Sequence, residues 1–281
     1  MYIKRAAVIG SGTMGADIAY VIASAGIPVV MKDIDQSALD RASAHIADLF
    51  QGRVARGRLS GEDAEYLKNL IVFTTADESL RDVSLAIEAV SENMAVKKRV
   101  FQDLDRLLPA LSLIVSNTSA LSISELAAAT GRPERVAGFH FFFPAHMMKL
   151  IEVIASEATS AETIETLRRF AEEIRKIPVS VKECPGFVVN RVLMASMAEV
   201  LRFQHETQIP YADIDQTVMQ AGVAPMGPFV LADALGLDVA LEVARTLTEA
   251  YGERFKPGPQ LEELVGAGHL GLKSQQGFYH Y

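Results

Sequence analysis

Two groups of residues in this 281-residue chain have the types and spacing to support chemistry. The first is Gly10, Gly12 and Gly15 in the run AAVIGSGTMGA, residues 6–16, with Asp33 following 23 residues after Gly10. Glycines at this spacing, between a strand-like run and a helical pattern, allow a tight turn, close backbone approach to a pyrophosphate and close packing of strand on helix. The N–H groups at the helix start then face the phosphates. Asp33 ends the next strand-like run, where a carboxylate accepts hydrogen bonds from an adenosine ribose and repels a 2′-phosphate, so NAD is expected rather than NADP. Thr13 and Met14, inside the same turn, complete the candidate cofactor-binding loop. Lys32 is an adjacent cation that would soften the rejection of a phosphate. Glycines at this spacing also occur in ligand-free turns, Asp33 also fits an Asx turn closing IPVVMKD, and a flavin would use the same phosphate logic.

The second group lies in GFHFFFPAHMMKLIEV, residues 138–153, where His140 and Glu152 stand in a mostly apolar run. A neutral imidazole exchanges a proton with an alcohol in either direction as hydride leaves or returns, which is what nicotinamide chemistry requires. A carboxylate at one ring nitrogen would fix the tautomer and favour the imidazolium. The twelve residues between them leave room for a loop that brings the two together. The same spacing equally fits a histidine buried for packing and an unrelated surface glutamate.

These residues need a scaffold, and the chain has two textures. From residue 4 to about 181, β-branched runs (RAAVI, IPVVMKD, NLIVF, VSLAIEAV, LSLIVSN, ERVAGFHFF, KLIEVIA, IPVSV) alternate with helical patterns. That alternation predicts a mostly parallel sheet covered on both faces. Residues 37–69 read as two helices joined near Leu59 and Ser60. Beyond Pro185 the strand pattern disappears and FVVNRVLMASMAEVLRF, YADIDQTVMQAG, ADALGLDVALEVARTLTEAYG and PQLEELVGAG have helical periods. The fold class expected is α/β, with an N-terminal Rossmann-type nucleotide-binding domain, 1–183, and an all-helical C-terminal domain, 184–281. The KECPG stretch interrupts both textures at the boundary.

Composition narrows the function. The formal charge of −8 argues against a nucleic-acid partner, which needs concentrated positive charge. No apolar stretch is long enough to predict a membrane span, and the opening residues leave no space for a signal peptide. Cys184 is the sole cysteine, which excludes an intrachain disulfide and fits a reducing, cytoplasmic location. The histidines outside the central run show no metal-binding spacing, and no metal is expected.

Several separated motifs, VIGSGTMG, EAVSENMAVKKRVF, SNTSALSI, RPERVAGFHFFFPAHMMKLIEV, CPGFVVNR, DIDQTVMQAGVAPMGPFVLADALGLD and GLKSQQGFYHY, give the chain a resemblance to the 3-hydroxyacyl-CoA dehydrogenase family over essentially its whole length. The resemblance implies that His140 is the catalytic histidine, Glu152 its support, and Ser119 and Asn190 the substrate-side hydroxyl and amide. It also implies that Glu92 and Lys97 lie beside the nicotinamide half of the cofactor. The implied reaction is NAD-dependent, reversible oxidation of an (S)-3-hydroxyacyl-CoA, with 3-hydroxybutyryl-CoA the default substrate and a homodimer formed through the helical domain. Alternatives are a dehydrogenase of a free 3-hydroxy acid or a bulkier acyl-CoA, and a non-enzymatic nucleotide-sensing or structural dimer.

Residue by residue, other readings stay open. Ser119 also fits a helix cap ahead of SISELAAAT, and Asn190 a helix-start hydrogen bonder. Lys97 and Lys98 on a charged helix are by default solvated. RVARGRL, 53–59, supplies three arginines in an expected helical protrusion that suits CoA phosphates or plain solvent. The chain departs from the family at Phe143, which replaces the asparagine of HFFNP, and at His146, where a small apolar residue is commoner. Both departures bear on acyl preference.

Overall fold

Every β-branched run named above becomes a strand. In chain order these are β1 (Ala6–Ile9), β2 (Val29–Lys32), β3 (Ile71–Thr74), β4 (Leu85–Glu88), β5 (Leu113–Ser116), β6 (Val136–Phe141), β7 (Leu150–Ala155) and β8 (Ile177–Lys182). They form one sheet in the order β3-β2-β1-β4-β5-β6-β7-β8. All pairings are parallel except that of β6 with β7. The strands β1, β4 and β5 are buried at every position, because helices cover both faces of the sheet. That is why they read as unbroken apolar runs and not as an alternation. The computed structural model describes residues 2–281.

The crossovers are α1 (Thr13–Ser24), α2 (Gln36–Ala55), α3 (Gly61–Lys68), α4 (Met94–Leu107), α5 (Ile123–Ala127) and α6 (Ala161–Glu173). Most begin at a residue whose side chain accepts a backbone N–H of the first turn: Asp35 for α2, Ser60 for α3, Asn93 for α4, Ser122 for α5 and Ser160 for α6. The helix α1 differs. Its N-cap is Gly12, which has no side chain to offer. Strand order reverses between β1 and β4, so the loop after β1 opens at the switch point where open α/β sheets bind ligands. The helical protrusion expected over 53–59 is shorter than anticipated: α2 stops at Ala55, leaving Arg56 and Arg58 in a turn through Gly57, whose φ is +64°.

The chain divides into two compact units, the first ending at Cys184 and the second spanning Pro185–Tyr281. The second contains α7 (Val189–Thr207), α8 (Tyr211–Gln220), α9 (Pro228–Leu235), α10 (Leu237–Tyr251) and α11 (Pro259–Gly266). Its core is built from Met194, Met197, Leu201, Phe229, Leu241, Phe255 and Phe278, among others. The run ADALGLDVALEVARTLTEAYG is not one helix: Gly236, at φ +95°, breaks it between α9 and α10. Two buried aspartates tie the unit together. Asp215 of α8 accepts from the N–H groups of Phe229 and Val230 at 2.9 and 3.1 Å and from the Tyr279 hydroxyl at 2.8 Å. Asp233 of α9 accepts from the N–H groups of Phe278 and Tyr279 at 2.9 and 3.0 Å and from the Tyr281 hydroxyl at 3.0 Å. Burial and the bond to Asp233 push the Tyr281 phenol up to about 12, so it remains a donor at neutral pH.

Candidate active site

The loop after β1 is shaped by its glycines in different ways. Gly10 has φ +101°, and a Cβ there would stand 2.6 Å from the Ala89 carbonyl oxygen. A Cβ on Gly15 would be 2.0 Å from the Gly10 oxygen, so neither position has room for a side chain. Gly12 has nothing within 4 Å of such a Cβ. Open space therefore faces the start of α1, whose first-turn N–H groups have no intrahelical acceptors. The cradle fits a dinucleotide pyrophosphate. Thr13 and Met14 are the first two residues of α1, Thr13 exposed and Met14 half-buried.

A cavity of about 560 Å³ adjoins this loop, lined by Gly10, Gly12, Lys32, Asp33, Asp77 and Val96, among others. Asp33 closes an Asx turn, accepting from the Asp35 N–H at 3.1 Å, as its local reading allowed. It also does more. Its second oxygen accepts from the Ser11 N–H and hydroxyl, both at 2.7 Å, which fixes the carboxylate against the glycine loop. Burial acts to raise its pKa, but the bonds from Ser11 and Asp35 outweigh burial and hold Asp33 below the usual carboxylate range. Lys32 forms an ion pair with Asp77 at 2.9 Å.

The central histidine and glutamate meet. In the antiparallel register of β6 and β7, His140 stands directly opposite Glu152, and its Nδ1 lies 2.8 Å from Glu152 Oε2. Both side chains are buried. With Nδ1 donating to the carboxylate, a neutral ring has its acceptor lone pair on Nε2. The Phe142 ring packs against the imidazole, with centroids 4.6 Å apart. Asn117 steadies the end of β6 by accepting the Phe141 N–H at 2.9 Å.

Ser119 lies in the loop after β5, and that loop is held by carboxylates. Glu92 accepts the Ser119 N–H at 3.2 Å and the Thr118 hydroxyl at 2.5 Å. Glu183, following β8, accepts the Ser122 hydroxyl at 2.6 Å and the Ser124 N–H at 2.9 Å. The helix cap once open to Ser119 belongs to Ser122. Lys97, read by default as solvated, is instead 1% exposed. Its ammonium lies 2.6 Å from Glu88 and 3.2 Å from Glu92. Lys98 does lie at the surface, paired with Glu125 at 2.7 Å. Asn190 is the second residue of α7, in the second unit.

Residues 5–184 match the NAD-binding domain of 3-hydroxyacyl-CoA dehydrogenases, and residues 186–281 match their C-terminal domain. The chain belongs to the 3-hydroxyacyl-CoA dehydrogenase family. It is 40% identical over 279 residues to the 3-hydroxybutyryl-CoA dehydrogenase of Clostridioides difficile, covering 99% of both chains. It is 41% identical to the 3-hydroxyadipyl-CoA dehydrogenase of Escherichia coli, covering 99% of this chain and 59% of that one. Among solved structures, the (S)-3-hydroxybutyryl-CoA dehydrogenase of Ralstonia eutropha superposes with a TM-score of 0.95 at 34% identity, covering 99% of each chain.

Against this dehydrogenase family, the two departures have different surroundings. His146 is engaged: its Nδ1 lies 2.8 Å from buried Asp17, whose other oxygen is 2.9 Å from His45 Nε2. Phe143 is 58% exposed, and Met147 on the same loop is 69% exposed. Glu88 is a residue that sequence reasoning missed. It ends β4 fully buried, taking the Lys97 ammonium, the Ser116 hydroxyl at 2.6 Å and the Val90 N–H at 2.7 Å. Its signal was present, as a lone carboxylate inside the apolar run VSLAIEAV. A second cavity of about 910 Å³ is lined by Arg53, Arg56, Arg58, Lys149, Arg175 and Lys176, together with His146 and Met147 of the loop after β6.

Proposed function

We propose that this dehydrogenase oxidises a short (S)-3-hydroxyacyl-CoA, 3-hydroxybutyryl-CoA by preference, to the 3-oxoacyl-CoA, with NAD as hydride acceptor. The observation that carries the reading is the buried His140–Glu152 pair on the same sheet as a glycine cradle suited to a dinucleotide. NAD, when bound, supplies the site that takes the hydride from C3. His140 Nε2 accepts the C3 hydroxyl proton, and Glu152 holds the ring through Nδ1 and favours the imidazolium without itself being protonated. In reduction the imidazolium returns that proton to the carbonyl oxygen. The Ser119 hydroxyl is assigned to the reacting oxygen, and the Asn190 amide to the substrate. Glu92 and Lys97 are assigned to the nicotinamide half, with Glu88 fixing the Lys97 ammonium.

The thioester, in preference to a free hydroxy acid, is supported by the groove of four arginines and two lysines beside the loop that follows His140. Guanidinium groups suit phosphates, and a free hydroxybutyrate would leave most of them unmatched. Relatives at similar identity are named for acyl groups as different as hydroxybutyryl and hydroxyadipyl. Exposed Phe143 and Met147 favour an apolar acyl chain, and a bulkier apolar chain is the second reading. The homodimer is assigned to the helical unit, where Val192, Val223 and Val239 are exposed.

The test is a panel of 3-hydroxyacyl-CoA thioesters of increasing length beside the matched free acids, each with NAD and NADP. The expected kcat/KM for the four-carbon thioester exceeds that for free 3-hydroxybutyrate by at least about a hundredfold, because the remote phosphates contribute binding to the transition state. Equal or better turnover of the free acid would overturn the CoA assignment.

A further inference from the structure

We propose that Asp77 is a cofactor-specificity residue, acting by holding the Lys32 ammonium away from the position a 2′-phosphate would occupy. This rests on the reading of the first cavity as the adenosine end of an NAD site. Lys32 ends β2 and is followed at once by Asp33, the candidate ribose ligand. A lysine beside that position is an obvious partner for a phosphate, since an ammonium on a flexible stem binds phosphates as a point charge.

In this fold that cation is already engaged. Its side chain is 14% exposed, and Nζ lies 2.9 Å from Asp77 Oδ1. Asp77 opens the short turn Asp77–Leu80 that follows β3, so it approaches Lys32 from the neighbouring strand's end. Lys32, Asp33 and Asp77 all line the same cavity. With Asp103, the cavity lining holds three carboxylates to one ammonium. A ribose with two free hydroxyls meets acceptors, while a phosphorylated one meets Asp33 and Asp77 and finds Lys32 occupied. The pair is therefore a mask, and removing Asp77 exposes a latent determinant for NADP. A purely structural staple between the ends of β2 and β3 would behave differently, because its loss would disturb both cofactors alike.

Calorimetric titration of NAD and NADP into the full chain, into Asp77→Asn and into Asp77→Asn combined with Lys32→Met separates these cases. Asp77→Asn is expected to narrow the NADP-to-NAD ratio of dissociation constants by about tenfold, the scale of one charge-assisted hydrogen bond. The change should come from tighter NADP, and adding Lys32→Met should erase it. An unchanged ratio, a gain that survives Lys32→Met, or equal weakening of both cofactors would each overturn the mask. An unsubstituted protein that binds NADP better than NAD, or binds neither, would overturn the cofactor reading beneath it.

Discussion

At the scale of single residues, the chemistry proposed above depends on two carboxylates in opposite settings. Glu152 is buried against an imidazole, where an ionised partner is worth most to the imidazolium that forms. Asp33 is partly open and is held ionised by its hydrogen bonds. Burial would raise its pKa, and the hydrogen bonds from Ser11, Asp35 and Ile34 together more than reverse that. A folded-state value below the unfolded one contributes stability that is present above the ordinary carboxylate pKa and is lost as pH falls through the depressed value. The ribose contact assigned to Asp33 should follow the same window. The ratio of NAD affinities between the unsubstituted protein and Asp33→Asn should stay flat from about pH 8 to about pH 5, above the ordinary aspartate value of about 3.9. Titration at several pH values checks this, and a ratio that collapses near about pH 6 would contradict it.

At the scale of elements, the two candidate groups are positioned by pairing and not by proximity in sequence. The spacing of His140 and Glu152 allowed contact or none; the antiparallel return of β7 along β6 decides it, by setting the two side chains opposite one another. The burial of Lys97 is hidden from local sequence because charge on a helix usually means solvent, and the carboxylate that draws it inward sits nine residues earlier on a different element. One helix end was hidden as well: Gly236 interrupts a run whose period continues straight through it. The closing GFYHY segment likewise has a function that periodicity does not reveal, since its N–H and hydroxyl groups converge on Asp233. Gly277 is required by that approach, as a Cβ there would stand 2.0 Å from Asp233 Oδ1. Asp233→Ala strands three buried or half-buried donors and should cost about 2–4 kcal/mol of stability. The midpoint of denaturant unfolding, followed by helical ellipticity, measures it. A loss below about 0.5 kcal/mol, the scale of an ordinary surface substitution, would show that the C-terminal segment is held by other means.

At the scale of the whole molecule, alternation of β-branched runs with helical periods disclosed the sheet, and its disappearance after Pro185 disclosed the helical unit. Both signals are strong because burial on two faces demands continuous apolar strands, while helices packed in one cluster demand a repeating apolar stripe. What composition could not disclose is how charge is distributed. A chain with a formal charge of −8 nevertheless gathers Arg53, Arg56, Arg58, Lys149, Arg175 and Lys176 around one groove. Those residues come from separate segments that only the fold assembles. No helix among the described residues is long and apolar enough to cross a membrane.

We assign to His140 the removal of the hydroxyl proton. Rapid-mixing measurement of NADH formation from (S)-3-hydroxybutyryl-CoA, made on the unsubstituted protein and on His140→Ala with NAD binding measured in parallel, addresses that claim most directly. The expected result is hydride transfer slowed by at least about a hundredfold, the lower end of what a general base contributes, with NAD affinity retained. Transfer within about threefold of the unsubstituted rate, in a variant that still binds NAD, would contradict it.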